Sequence, residues 1–523
     1  MMRIAIAQIN PIMGDIEHNR RAIELYSARA LTDGAELIIF PELSLCGPCP
    51  LSLLQRTGFV PRVQKAVQKI AAATKGIGVI IGGIGTGLDG EDGHRLYNSA
   101  FLIDGGRTIG EARKLKSQRG SSREWEYFTP GPGVEVFEFR GQKIGINLGD
   151  EGLLEDSPID TQASLGAGLV INITAAPFYR GSPDNMRWLG KKKAKDNGIT
   201  LIYANLVGGQ DGLVYAGGSF VIGPDGKLIF QTPCFKEGLF LVDLEKPTPL
   251  FPSEAPIELL RGAITLGIHD YVQKSGFSKV IVGLSGGIDS AVVAALAVDA
   301  LGSSAVTALF MPSEITSEES SQAARELASR LSIELLELSI DEVVAAYQHS
   351  LPHPLSGLTT ENLQARTRGT FLMTLANERN ALVLAPGNKS EIAVGYNTLY
   401  GDTVGALAPI ADLYKTEVSR LAGTMGETIP QNIRERPPSA ELRPDQRDED
   451  DLPPYPLLDE ILHEIIEENS SRNGLIEKGF PKKTVDDVLS RYYRSEYKRR
   501  QFPPAIKLSH SDQQLPIAHS YCD

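Results

Sequence analysis

Lys279-Val280-Ile281-Val282-Gly283-Leu284 runs into Ser285-Gly286-Gly287-Ile288-Asp289-Ser290 and then into an Ala/Val-rich stretch that ends at Leu301. The first six residues predict a buried strand, the Ala/Val-rich run a helix, and Ala305–Phe310 the next strand. Strand, helix and strand at this spacing form a βαβ crossover, which requires a parallel sheet. Between strand and helix, Gly286 and Gly287 let the backbone curl so that successive N–H groups point at one spot. The helix dipole adds positive charge there, which makes an anion site. No Gly-Lys-Ser/Thr is present, so the loop is not a Walker A motif and points to α- rather than γ-phosphate transfer. Asp289 is placed to hold a metal on the departing pyrophosphate. The plain structural alternative is a tight turn with Asp289 and Ser290 as helix N-caps.

Upstream, short β runs alternate with helical periods: Arg3–Ile9, helical Glu17–Leu31, Glu36–Phe40, helical Pro61–Ala73 and Gly78–Ile84. Further runs at Asn98–Ile103, Lys143–Leu148, Leu169–Ile173, Thr200–Leu206 and Gly218–Ile222 predict a mixed sheet, the last closing a hairpin through Gly223-Pro224-Asp225-Gly226. The Pro-rich stretch Lys246–Ser253 precedes a helical pattern from Ile257 to Val272, which sets a boundary near residue 250 between a domain at 1–250 and one at 251–523. Pro437–Tyr455 is Pro-rich and charged and predicts a long surface loop, and Lys191–Lys195 a solvated helix face.

With 523 residues and 42% hydrophobic content, the chain has material for two or more cores. Its 52 basic and 65 acidic residues leave a net charge of −13, which argues against general nucleic-acid binding. Arg3 is followed by four apolar residues before Gln8, too few for a signal core, and no apolar run is long enough to span a bilayer. Cys46, Cys49, Cys234 and Cys522 make no disulfide framework, so a reducing cytoplasm is the expected compartment. Cys46 and Cys49 form a CxxC without a second pair, which argues against a metal or redox role.

Gly283–Ser290 resembles the signature of the ATP-pyrophosphatase (PP-loop, adenine nucleotide alpha hydrolase-like) superfamily. Six further blocks resemble the synthetase domain of NAD synthetases: Glu361–Arg366, Gly387–Glu391, Gly395–Asp402, Asp412–Lys415, Pro438–Leu442 and Glu496–Gln501. The resemblance implies a parallel-sheet domain in which ATP adenylates the nicotinate carboxylate of deamido-NAD, after which ammonia displaces AMP. Gathering two anions at one point requires cations and Mg²⁺. The resemblance puts ATP on Gly283, Ser285, Gly286, Gly287, Asp289, Ser290 and Met311, and Mg²⁺ on Asp289 and Glu391. It makes Asp289 and Lys415 catalytic and assigns Asn362, Arg366, Glu391, Asp402 and Lys498 to deamido-NAD. Arg366 and Lys498 read equally as solvated or salt-bridged helix positions. Pro386 replaces the family's usual threonine and would remove a hydroxyl contact to ATP.

The N-terminal half resembles the nitrilase-like glutaminase domain of glutamine-dependent NAD synthetases, an α-β-β-α sandwich. The matching stretches are Ala5–Gln8 with Gly14-Asp15, Phe40–Leu43, Tyr127–Gly131, Asn205–Asp211 and Gly217–Phe220. The resemblance implies a Glu-Lys-Cys triad that frees ammonia from glutamine. Glu42 takes the glutamate position, Lys114 in preference to Lys116 the lysine, and Glu124 that of a supporting acid. Where the family has Ile-Cys-Glu-Asp, this chain has Leu148-Gly149-Asp150-Glu151, a glycine in place of the nucleophile. Thr174–Phe178, Ser182 and Ala216 depart from the family at neighbouring positions, and neither Cys46 nor Cys49 is expected to substitute. The expectation is a synthetase using free ammonia, or ammonia from an external glutaminase, with the first half kept as the scaffold of a homo-oligomer. A nucleotide-binding pseudoenzyme or regulatory subunit, and an adenylating enzyme with another carboxylate acceptor, are the alternatives.

Overall fold

The computed structural model describes residues 2–48, 50–89, 93–116, 124–244, 254–355, 357–439, 441–443 and 446–510. Cys49, Ala440, Cys522 and the proposed boundary near 250 lie outside them. The chain divides into two compact units, Met1–Gln210 with Val214–Glu254, and Asp211–Leu213 with Ala255–Asp523.

In the first unit, period-2 patterning sorts each strand's side chains to two faces. One six-stranded sheet runs Gly238–Asp243, Arg3–Gln8, Leu37–Ile39, Gly78–Asp89, Gly93–Asp104, Arg107–Arg113. The other runs Leu228–Gln231, Phe220–Ile222, Thr200–Asn205, Leu169–Thr174, Gln142–Leu148, Val136–Phe139. Both are mixed, with parallel centres and antiparallel edges. Ile4, Ile6, Leu37 and Ile39 meet Ile144, Ile146, Ile171 and Ile173 in a core between the sheets. The alternate residues Ala5, Ala7, Ile38 and Phe40 face outward onto the helices Ile16–Thr32 and Phe59–Ala73. Val170, Leu201, Tyr203 and Phe220 do the same for Pro158–Ser164 and Ser182–Asn197. The result is the expected α-β-β-α sandwich. Phe220–Ile222 and Leu228–Gln231 form the expected hairpin, with a bulge. Within Ser182–Asn197 the lysines are mostly exposed around the buried Ala194, as expected for a solvated face.

The second unit is built on a wholly parallel four-stranded sheet, ordered Glu334–Glu337, Val306–Phe310, Val280–Leu284, Leu382–Leu384. The helix Ile288–Leu301 is apolar nearly all round because it is covered on every side, and Ala291–Ala297 are all buried. The long helix Leu358–Arg379 covers the sheet through Leu372 and Ala376, which pack on Ile281, Leu309 and Val383. Helices Tyr455–Ile466, Arg472–Glu477 and Lys482–Arg494 close a separate cluster with Val394 and Tyr414. No helix among the described residues is long and apolar enough to cross a membrane.

Candidate active site

The chain winds outward from Val280–Leu284 through two neighbouring strands and then returns to place Leu382–Leu384 on its other side. Such a reversal opens a crevice at the carboxyl ends of the strands, where ligands of this architecture bind. A cavity of about 250 Å³ lies there, lined by the loop after Leu284, by Met311 and by Pro386 and Gly387. Gly286 has φ +82°, and a Cβ on it would fall 2.8 Å from the Cα and carbonyl oxygen of Ser320, so the loop closes this tightly only with glycine. Ser290 Oγ accepts the Ser285 N–H at 3.2 Å and donates to the Gly287 carbonyl at 3.1 Å, which locks the turn. The N-cap is Gly287, with no side-chain cap, so neither Asp289 nor Ser290 serves as the helix cap.

Asp289 instead turns to residues far along the chain. Lys415 Nζ donates to Asp289 Oδ2 at 2.5 Å and to Glu391 Oε1 at 3.1 Å, and Asn388 Nδ2 donates to Asp289 Oδ1 at 3.0 Å. Local signals build this cluster. Asn388 caps the helix Lys389–Val394 through its Oδ1 and the Glu391 N–H, which fixes Glu391 in the first turn. Lys415 opens the helix Lys415–Thr424, and its N–H is held by Ser390 Oγ at 2.9 Å. Below them the fully buried Lys389 bonds Asp412 at 2.8 Å and also Glu467, tying both segments together. Tyr455 donates to Asp448 Oδ2 at 2.8 Å and stands 3.5 Å from Glu391 Oε1.

Burial disfavours the Lys415 ammonium, but attraction to Asp289 and Glu391 outweighs it and holds the group protonated well above the ordinary lysine range. The Glu391 carboxyl is raised by burial, with Asp289 and Asp448 adding to the effect against the pull of Lys415. Three acidic side chains, Asp289, Glu391 and Asp448, thus surround the single ammonium of Lys415. Among the described residues no three His, Cys, Asp or Glu side chains converge as a metal cage. Two adjacent carboxyl groups with hard oxygen donors do suit Mg²⁺, which commonly takes one or two protein oxygens and completes its shell with phosphate oxygens and water.

A second group lies beside the cavity. Lys498 Nζ donates to the carbonyls of Gly395 and Asn397 at 2.7 and 2.6 Å, Arg366 Nε to that of Leu399 at 3.1 Å, and Thr398 Oγ1 to Asn362 Oδ1 at 2.8 Å. Asp402 lines the cavity and accepts the Thr398 N–H at 2.7 Å. These side chains all bear on one loop, 395–402, Lys498 from a half-buried position and Arg366 from an exposed one on its helix. Burial lowers the Lys498 ammonium below its usual range.

In the first unit, Lys114 Nζ sits between Glu42 Oε1 at 3.0 Å and Glu124 Oε2 at 2.7 Å, with Asn98 Nδ2 on Glu42 Oε1 at 2.8 Å and the Ala175 N–H on Glu42 Oε2 at 2.9 Å. Lys116 Nζ turns away to the Asp156 carbonyl. Gly149, φ +65°, begins the turn after Gln142–Leu148, and a Cβ on it would lie 2.7 Å from both Cε and Nζ of Lys114. Glu151, two residues on, accepts the N–H groups of Leu115 and Lys116, yet burial pushes its carboxyl up to about 7. Cys46 is buried, with Sγ 3.8 Å from the Leu43 carbonyl.

Residues 261–502 match the NAD synthase family and residues 3–248 the carbon-nitrogen hydrolase family. The chain is 41% identical to the glutamine-dependent NAD(+) synthetase of Acinetobacter baylyi, over 95% of this chain and 94% of the relative. It belongs to the glutamine-dependent NAD(+) synthetase family. Its counterpart in Thermotoga maritima is 38% identical over 99% of both chains. Among solved structures, the glutamine-dependent NAD+ synthetase of Acinetobacter baumannii in complex with ADP superposes with a TM-score of 0.79 at 34% identity, covering 98% of this chain and 97% of that one. The Cytophaga hutchinsonii synthetase, at 22% identity and TM-score 0.85, shares the fold.

Of the positions expected for an NAD synthetase site, Gly283, Ser285, Gly287, Asp289, Ser290, Met311, Glu391, Asp402 and Lys415 line one cavity. Gly286 shapes its loop from behind, and Asn362, Arg366 and Lys498 hydrogen-bond to the adjoining loop from their helices. One expectation is corrected. The segment 437–455 is not simply a surface loop: Pro437, Pro438, Glu441 and Leu442 wall the cavity, and Asp448 is buried. Part of its charge turns inward: Glu441 accepts hydrogen bonds from Arg436 at 2.6 Å, Ser317 at 3.0 Å and Ser320 at 2.7 Å, while Arg443, Arg447, Glu449, Asp450 and Asp451 stay exposed. Sequence reasoning missed Asn388, Arg436, Asp448 and Tyr455. Asn388 carried a legible signal, an asparagine three residues before Glu391 at a helix start. The others lie in no local pattern.

Proposed function

We propose that this protein makes NAD from deamido-NAD and ATP, with ammonia taken from solution or from another protein instead of from glutamine bound to its own first domain. The observation that carries the reading is Lys415 bridging Asp289 and Glu391 beside the glycine loop. The ADP complex of the A. baumannii relative supports ATP as the nucleotide. The turn at Ser285–Gly287 and the helix it opens receive the phosphates, and Lys415 offsets negative charge as a carboxylate oxygen of nicotinate attacks the α-phosphorus. The P–O bond to pyrophosphate breaks, leaving the acyl adenylate. Ammonia's lone pair then attacks the carbonyl carbon, AMP departs, and a proton is lost to solvent. Mg²⁺ held by Asp289 and Glu391 would add charge neutralisation on the phosphates. Asn362, Arg366, Asp402 and Lys498, by ordering loop 395–402, form the proposed deamido-NAD subsite. Pro386 lines the ATP cavity without offering a hydroxyl.

At the first domain the reading rests on Gly149. No thiolate forms at a glycine, and Glu42 and Lys114 retain no nucleophile to serve. This domain, 1–250, is then the scaffold of a homo-oligomer, and 251–523 the synthetase. The test is NAD formation from deamido-NAD, ATP and Mg²⁺ with either ammonium chloride or glutamine as sole nitrogen donor. Activity with ammonium alone is expected. Glutamate release from glutamine refutes the loss of glutaminase, and inactivity with both donors refutes the synthetase reading.

A further inference from the structure

Three cations line the nucleotide cavity among the described residues: Arg368, Lys415 and Arg436. Lys415 is paired with Asp289 and Glu391, and Arg436 with Glu441. Arg368, on the helix Leu358–Arg379, has no carboxylate within ion-pair distance among the described residues. Its Nε donates to the Met311 carbonyl at 3.0 Å and its Nη2 reaches Ser313 Oγ at 3.4 Å. A guanidinium carries five N–H donors and stays charged in proteins, so two neutral acceptors leave the rest of the fork unmatched. Burial disfavours its charged form, and Glu441 and Asp341 compensate only from a distance. A partly desolvated cation without a counter-charge is costly unless an anion completes the site. Met311 follows the strand Val306–Phe310, the direct neighbour of Val280–Leu284, so this cation and the glycine loop belong to adjacent strand ends of one crevice.

We propose that Arg368 is a nucleotide-binding residue that donates to a phosphate oxygen of ATP, while its Nε holds the Met311 carbonyl in place. The inference rests on the reading of this cavity as an ATP site. Calorimetric titration of ATP and of adenosine into the full-length wild type, R368K and R368Q tests it, with melting temperature as the check on folding. R368Q is expected to weaken ATP about tenfold or more and to leave adenosine binding unchanged, since a hydrogen bond to a charged group is lost. R368K is expected to recover part of the ATP affinity, and the wild-type affinity to fall with salt more steeply than that of R368Q. If R368Q does not fold, R368K carries the test through a loss confined to ATP. Equal losses for ATP and adenosine would make Arg368 a strut for Met311 only and overturn the proposal, as would unchanged ATP affinity. A wild type that binds no ATP overturns the ATP site itself, an outcome distinct from a wild type that binds ATP as tightly as R368Q.

Discussion

Two lysines, Lys114 and Lys415, occupy the same kind of position in the two units: each is an ammonium held between two carboxylates in a largely buried setting. The proposed function gives them different duties. Lys415 faces the cavity, so it can transfer its attention from Asp289 and Glu391 to incoming phosphate. Replacing it by methionine is expected to cut pyrophosphate release about 100-fold or more, because a preorganised charge at developing negative oxygens is worth that much. A release assay with ammonium as donor checks this. Lys114 has Gly149 beside it, and under the proposed function it serves as a staple. Lys114→Met leaves Glu42 and Glu124 facing one another in a buried site and is expected to cost about 3–5 kcal/mol, the penalty for breaking a buried ion pair, visible as early melting of the first unit. A variant that melts with the wild type removes the staple role.

At the scale of elements, short turns do most of the positioning. Ser285–Gly287 aims a helix start at the cavity, and Asn388 and the first turn of Lys415–Thr424 bring their charges to it. The turn Gly149–Leu153 carries a titration that stability measurements can read. Glu151 is raised to about 7 from 4.5, first by burial, with backbone N–H groups of Leu115 and Lys116 opposing. The folded chain therefore binds a proton more tightly than the unfolded chain across that interval. Folding stability from this group is highest at acid pH and is lost as pH rises from about 4.5 through 7, by about 3 kcal/mol at most. Glu151→Gln is expected to flatten this part of the curve, so that wild type minus variant stability declines between pH 5 and pH 8. A difference that stays constant with pH would show that Glu151 is ionised throughout. Loop 395–402 is the complementary case, an element whose carbonyls need Arg366 and Lys498 to order them.

For the whole molecule, the proposed function divides labour between the units: the second would supply the chemistry and the first the assembly. Deleting residues 1–250 is expected to lower the sedimentation coefficient beyond the lost mass and to reduce ammonium-driven NAD formation. A truncated chain that remains oligomeric and equally active ends the scaffold idea. How far the sequence reaches is seen in particular residues. The strand Val280–Leu284, its glycine turn and the Ala/Val helix were legible because strand alternation, left-handed glycines and helix periods act over a few neighbours. The same holds for the two-sided strands of the sandwich and for the glycine at 149, since an absent side chain needs no structure to be noticed. Segment 437–455 was misread because proline and charge mark a loop without saying what the loop covers. Pairings across long stretches of chain were beyond local pattern: Asn388 with Asp289, Tyr455 with Asp448 and Glu391, Arg436 with Ser317 and Ser320. The sequence by itself determined the two α/β architectures and the phosphate turn, set by backbone preferences and residue chemistry within a few positions, and it placed a glycine at 149. Only the tertiary structure decided which charges meet and which cation, Arg368, has neutral acceptors but no carboxylate at ion-pair distance among the described residues, because buried electrostatics depends on distances through space that the chain closes only when it folds.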